Sequence, residues 1–187
     1  MRTLSLVAAG LAAAALLMAQ TGNRRVTKNQ KSPSADTSVS IGAHKITVEY
    51  NAPSARGRQV EGNLIPYGQV WRFGADSATT ITTEADVTIG NLKVPKGAHT
   101  LYILATEQGW TLIVNQQTGQ WGTVYQEAKD LGRVPMQVTK LSAPVETLKI
   151  TLEPAGGGAT LKAQWGSTQA VIAIKADSRY ATSLILE

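Results

Sequence analysis

Residues 53–76 read Pro-Ser-Ala-Arg-Gly-Arg-Gln-Val-Glu-Gly-Asn-Leu-Ile-Pro-Tyr-Gly-Gln-Val-Trp-Arg-Phe-Gly-Ala-Asp, the densest mixture of arginine, glycine and aromatic side chains in the chain. Arg56, Arg58 and Arg72 carry guanidinium groups, planar forks that match a carboxylate or phosphate through two parallel hydrogen bonds. Gly57 allows a tight or left-handed bend from which the flanking arginines project. Tyr67 and Trp71 offer flat faces for a sugar ring or for an arginine. The chemistry is that of a loop binding an anionic or carbohydrate group, and its ligand-binding candidates are Arg56, Arg58, Tyr67, Trp71, Arg72 and Asp76. A structural assignment stands beside it with equal weight. In that assignment Trp71 plugs the core, Arg72 lies on an aromatic face, and Glu61 or Asp76 neutralises Arg56 or Arg58.

Signals for catalysis are sparser. Asp76 and Glu61 are the carboxylates that would act as acid or base in a hydrolase of envelope carbohydrate or ester. Ser54 lacks the Gly-x-Ser-x-Gly elbow of a nucleophilic serine. His44 and His99 each share a strand face with aliphatic residues, the pattern of a core or strand-end histidine. No spacing resembles a zinc motif, so no metal and no other cofactor is expected. The balance favours a non-enzymatic binding module, with a hydrolase or a structural module of an envelope assembly as alternatives.

The elements that must hold this loop follow a period of two. Ile46, Val48 and Tyr50 face one way and Lys45, Thr47 and Glu49 the other, the signature of a half-buried strand. Residues 79–83 are threonine-rich. Residues 86–89 and 92–94 flank Gly90-Asn91, a hairpin turn, and 98–105 and 110–115 form a second hairpin. Residues 134–140, 145–152, 159–165 and 170–175 complete the set, with a turn at Gly156-Gly157-Gly158 and one short helical turn within 125–131. Eight to ten short strands without a helical repeat predict an all-β, mostly antiparallel sandwich, with a closed β-barrel as the competing architecture.

The chain ends have a different composition. Residues 1–19 have a positive start, an apolar run and a polar exit, the layout of a signal peptide that places the protein in the periplasm or outside the cell. Residues 20–38 read as a polar flexible linker, 39–177 as one domain, and 178–187 as a tail in which Leu184-Ile185-Leu186 either adds an edge strand or frays. No second apolar run is long enough to span a membrane. The chain of 187 residues has no cysteine, so no disulfide framework supports it. Its net charge of +5 comes partly from Arg24, Arg25, Lys28 and Lys31 of the linker, which no aromatic residues interleave, so a nucleic-acid partner is not expected. An anionic or carbohydrate small ligand is the expected partner.

Beyond these features, Pro53-Ser54, Arg56-Gly57-Arg58, Gly62, Pro66-Tyr67-Gly68, Val70-Trp71-Arg72 and Gly74-Ala75 follow one another in a recognisable order. Thr79-Thr80, Val94-Pro95-Lys96-Gly97, Trp110-Thr111, Trp121-Gly122 and Val145-Glu146-Thr147 continue it. The chain resembles the bacterial domain of unknown function 2911 family over about residues 32–177. That resemblance implies a secreted or periplasmic β-rich fold and the importance of the arginine segment, and it implies no reaction. Asp76 departs from the family's usual asparagine, and His99 stands where an aromatic residue is more usual.

Overall fold

The computed structural model describes residues 30–177. Ten strands account for nearly all of its regular structure. They are β1 (Ser34–Ile41), β2 (His44–Asn51), β3 (Val70–Trp71), β4 (Thr80–Thr83), β5 (Val87–Ile89), β6 (Leu92–Val94), β7 (Gly97–Ala105), β8 (Trp110–Asn115), β9 (Asp130–Ala155) and β10 (Gly158–Ala176). One 3₁₀ turn, Glu127–Lys129, falls inside the segment read as a helical turn. The expected leader, the start of the expected linker and the tail lie outside the described residues.

Pairing is antiparallel and runs through a single sheet in the order β1-β2-β4-β7-β8-β9-β10-β5-β6, with β3 beside β7. The all-β, antiparallel expectation holds. The strands belong to one continuous sheet, and that sheet is not closed into a barrel, so the barrel alternative is set aside.

The alternation seen in the sequence is what folds it. In β2, Ile46, Val48 and Tyr50 are buried and Lys45 is exposed. The same period extends further toward the N-terminus than the composition suggests. β1 begins at Ser34, inside the segment read as linker, with Ser34, Asp36, Ser38 and Ser40 outward and Val39 and Ile41 buried. Small polar residues on the solvent face disguise a strand as a linker. The expected runs 134–140 and 145–152 are parts of one strand, as are 159–165 and 170–175. Irregular steps between Gln164 and Thr168 interrupt the β9–β10 ladder without ending either strand.

β9 is the strand that turns the sheet over. Residues 130–136 pair with β8, and residues 137–140 and 145–155 pair with β10. Ile46, Val48, Ile81 and Leu101 thereby share one core with Leu148, Ile150, Leu161 and Trp165. Each fully buried aliphatic side chain contributes about 1.5–3 kcal/mol.

Along residues 145–155 the edge of β9 away from β10 has no neighbouring ladder strand, yet the N–H groups of Leu148, Ile150 and Leu152 are satisfied. Leu148 N–H donates to the Pro53 carbonyl at 2.9 Å. Ile150 N–H donates to the Tyr50 hydroxyl at 3.0 Å, and Leu152 N–H to Thr37 Oγ1 at 3.0 Å. A loop carbonyl and two side-chain hydroxyls stand in for a strand, which keeps buried backbone donors paired.

The outer face of β7 and β8 is covered by the loop 116–126. The Tyr102 hydroxyl donates to the Val124 carbonyl at 3.0 Å, and its ring meets Tyr125 edge-on at 4.9 Å. Tyr125 in turn donates to Asp130 Oδ2 at 2.7 Å. Burial, reinforced by that aspartate, pushes the Tyr125 hydroxyl up to about 12.

Two outcomes check this account of the fold. Tyr50→Phe removes the acceptor for Ile150 N–H and is expected to lower unfolding free energy by about 1–3 kcal/mol in urea titration; an unchanged midpoint contradicts the edge assignment. His99, on β7, is 6% exposed, and burial holds its imidazole below the usual 6.5 against a smaller opposing effect from the Gly97 backbone. The unfolded chain therefore takes up this proton first, so the stability contribution is present above 6.5 and is lost as pH falls below it. Stability between about pH 7 and about pH 5.5 is expected to fall less steeply in His99→Phe than in the parent, and equal slopes contradict the assignment.

Candidate functional site

Between β2 and β3 the chain crosses the end of the folded sheet, and backbone geometry there is demanding. Among the described residues, the non-glycine positions with positive φ are Arg56 (52°), Phe73 (51°) and Asp76 (57°). All three lie in the arginine-rich segment. Left-handed backbone at such residues costs about 1–3 kcal/mol each and persists where the surroundings impose it.

The imposing contacts come largely from β9. Ala55 N–H donates to the Glu146 carbonyl at 2.9 Å, and Ser54 Oγ lies 2.7 Å from Thr147 Oγ1. Arg56 N–H donates to Glu146 Oε1 at 2.7 Å. The loop is thus seated on the same β9 edge that Tyr50 and Thr37 satisfy further along. The second half of the segment is seated on β2. Ala75 N–H donates to the Asn51 carbonyl at 3.1 Å, and Thr79 Oγ1 donates to the Phe73 carbonyl at 2.8 Å. Gly74 is required between them, because a Cβ there would stand 2.9 Å from Thr79 Oγ1 and 3.0 Å from the Asn51 oxygen.

Arg56, Arg58 and Arg72 converge on one concavity of about 300 Å³, which Lys31, Trp71 and Asp76 also line. Arg58 is set by its own loop, its Nε donating to the Ala55 carbonyl at 2.8 Å and its Nη2 to the Ser54 carbonyl at 2.9 Å. Arg72 Nε donates to the Gly74 carbonyl at 3.3 Å. Among the described residues, none of the three guanidinium groups has an ion pair. Neutralisation of Arg56 or Arg58 by Glu61 or Asp76, the structural expectation, is therefore not what the geometry shows. Carbonyl contacts orient two of the forks while leaving their charge uncompensated and their remaining N–H groups for a partner.

The other candidates separate. Asp76 belongs to the concavity, where its Oδ2 accepts from Lys31 N–H at 3.0 Å and Ser32 N–H at 2.9 Å. The carboxylate therefore latches the strap that precedes β1. An asparagine oxygen would accept the same two bonds without the charge. Glu61 lies elsewhere, with Oε1 accepting from Ser167 N–H and Thr168 Oγ1, both at 2.8 Å, where the β9–β10 ladder is irregular. Each of the two carboxylates proposed for acid–base work is thus engaged in holding backbone.

Trp71 is 7% exposed and stacks on Trp165 with ring centroids 5.8 Å apart. Both indoles line the concavity, and the broad face that Trp71 would offer a ligand is shared with Trp165. Tyr67 is 38% exposed and lies against Gly62, outside the concavity. Sequence reasoning missed Lys31, whose only signal was its place in a basic stretch read as linker. Gly122, which the sequence offered beside Trp121 in the resemblance, donates its N–H to the Asp76 carbonyl at 2.8 Å.

The fold and site together define a class of all-β protein in which one sheet, folded over, holds a cation-lined cavity on a strained loop. Residues 32–174 match the model of the family described as protein of unknown function (DUF2911), and the chain belongs to that family. No curated protein and no solved structure matches it significantly. The match includes every arginine of the concavity and begins one residue after Lys31.

Gly122 provides the check on the site's construction. A Cβ there would stand 2.7 Å from Arg72 Cδ and 2.8 Å from the Asp76 carbonyl oxygen. Gly122→Ala is expected to destabilise by about 1–3 kcal/mol and to shift the Arg72 Nε–H resonance. Gly109→Ala, where a Cβ meets nothing, is the control, with an expected change within about 0.5 kcal/mol. Equal behaviour of the two variants contradicts the bracing role of the 116–126 loop.

Proposed function

We propose that the protein is a non-enzymatic binding module that recognises an anionic group, carboxylate or phosphate, in the concavity of Arg56, Arg58 and Arg72. The observation that carries this reading is the convergence of the three arginines and Lys31 on one cavity with a single lining carboxylate, Asp76, already engaged by two backbone N–H groups. Four cationic residues drawn together with one carboxylate leave an excess of positive charge, and an anion relieves the repulsion among them. The strained backbone at Arg56 and Asp76 supports the reading, because strain is characteristic of ligand clamps. Export to the periplasm or beyond the cell is the setting supported by the pattern of residues 1–19, and the envelope supplies acidic sugars and phosphates.

Calorimetric titration with galacturonate and with inorganic phosphate tests the proposal. The Arg56 guanidinium makes no hydrogen bond among the described residues, and the residue lies on the surface. Arg56→Ala is expected to weaken anion binding at least about tenfold while Tm moves by no more than about 2 °C. A large fall in Tm with unchanged affinity assigns the arginine to the fold and sinks the reading. Asp76→Asn keeps an oxygen for Lys31 and Ser32 and removes the one negative charge. Its expected effect is a severalfold tighter anion complex with an unfolding midpoint close to that of the parent. Weaker binding in this variant contradicts the charge argument.

A further inference from the structure

The arginine concavity is not isolated. A second concavity, of about 370 Å³, adjoins it and shares Arg58 as a wall. A third, of about 380 Å³, shares Glu61 and Ser167 with the second. The three therefore follow one another along the place where the β9–β10 ladder is irregular. At Gly166 (φ 57°) the backbone bends, and Glu61 fills the gap by accepting from Ser167 and Thr168. A Cβ at Gly166 would stand 2.8 Å from Glu61 Oε1, so the bend and the carboxylate fit only without a side chain.

The chemistry of the walls changes along this path. The first compartment is lined by four cations and one carboxylate. Past Arg58 the walls carry Gln59, Glu61, Glu146 and Ser167, and then Thr139, Lys140 and Thr168, so that the single cation of the third compartment shares its walls with Glu61. A second anion beside Glu61 and Glu146 would meet like charge. A hydroxyl-bearing neutral unit would instead donate to those carboxylates and accept from Gln59 or Ser167. Arg58 stands at the junction, oriented by the Ser54 and Ala55 carbonyls.

From this sequence of walls we infer that the ligand is an acidic oligosaccharide with one acidic unit in the arginine compartment and neutral sugar units continuing past Arg58 toward Thr139 and Thr168. The inference rests on the anion-binding reading above and adds the length and the charge pattern of the ligand. An acidic peptide is the competing occupant. Gln59, Glu61, Glu146 and Ser167 in the second compartment and Thr139 and Thr168 in the third favour the saccharide, because each offers a hydrogen-bonding group to a sugar hydroxyl.

The test is calorimetric titration of the native protein with galacturonate, a glucuronosyl-xylose disaccharide, the glucuronosyl-xylobiose trisaccharide, trigalacturonate and an acidic tripeptide. The disaccharide is expected to bind about tenfold more tightly than galacturonate, with trigalacturonate no tighter than galacturonate itself. In Glu146→Gln, which keeps an oxygen for Arg56 N–H, the disaccharide advantage is expected to fall to within about twofold. Galacturonate binding with no gain from the neutral sugar overturns this inference and leaves the anion reading standing. Binding of none of the probes overturns both. Trigalacturonate as the tightest ligand overturns the charge pattern, and a tripeptide tighter than the trisaccharide overturns the saccharide assignment. An undiminished disaccharide advantage in Glu146→Gln overturns the role given to the carboxylate.

Discussion

The free edge of β9 is the constraint on which the rest of the structure depends. A strand that leaves one half of a sheet to join the other exposes a row of N–H groups, and buried donors without partners are costly. Here Tyr50, Thr37 and the Pro53 carbonyl meet them. That solution fixes the strands β1 and β2 against β9, and it carries the loop after β2 to the same edge. The Glu146 carbonyl then takes Ala55 N–H, and Glu146 Oε1 takes Arg56 N–H. The arginine segment lies where it does because the sheet's edge had to be covered there.

Once seated, the segment has little conformational freedom. Left-handed backbone at Arg56, Phe73 and Asp76 is maintained by bonds from β9, β2 and the 116–126 loop. Trp71 on Trp165, with Phe73 and Trp110 edge-on to it, gives this loop a core of its own. Binding energy is better realised by groups already oriented, since ordering long side chains on binding is unfavourable. Arg58, held by two carbonyls, is such a group.

Much of the fold was legible because alternation at period two survives in nearly every strand. The β5–β6 and β7–β8 hairpins followed from their turns. β1 was hidden because serine, threonine and aspartate on a solvent face look like linker composition. The continuity of β9 and β10 was hidden because Pro144 and Gly166 interrupt the pattern, and the β9–β10 pairing on both sides of that interruption, bridged by the long-range bond from Ser167 N–H to Glu61, carries the strands through. At the site, residue type picked out the three arginines that line the concavity. It could not separate Trp71, in the floor, from Tyr67, outside, since both are aromatic residues of one loop. Nor could it place Lys31, which Asp76 brings in through backbone bonds that carry no sequence signature.

The central claim is that guanidinium groups are oriented before a ligand arrives and are not neutralised by the fold. Nitrogen-15 spectra of the arginine Nε–H groups, recorded with and without galacturonate, address it most directly. The expected result is that Arg58 and Arg72 give slowly exchanging Nε–H signals in the free protein, held by the Ala55 and Gly74 carbonyls, and that both shift on addition of the anion. Signals that are averaged in the free protein, or that do not move with the anion, would contradict it.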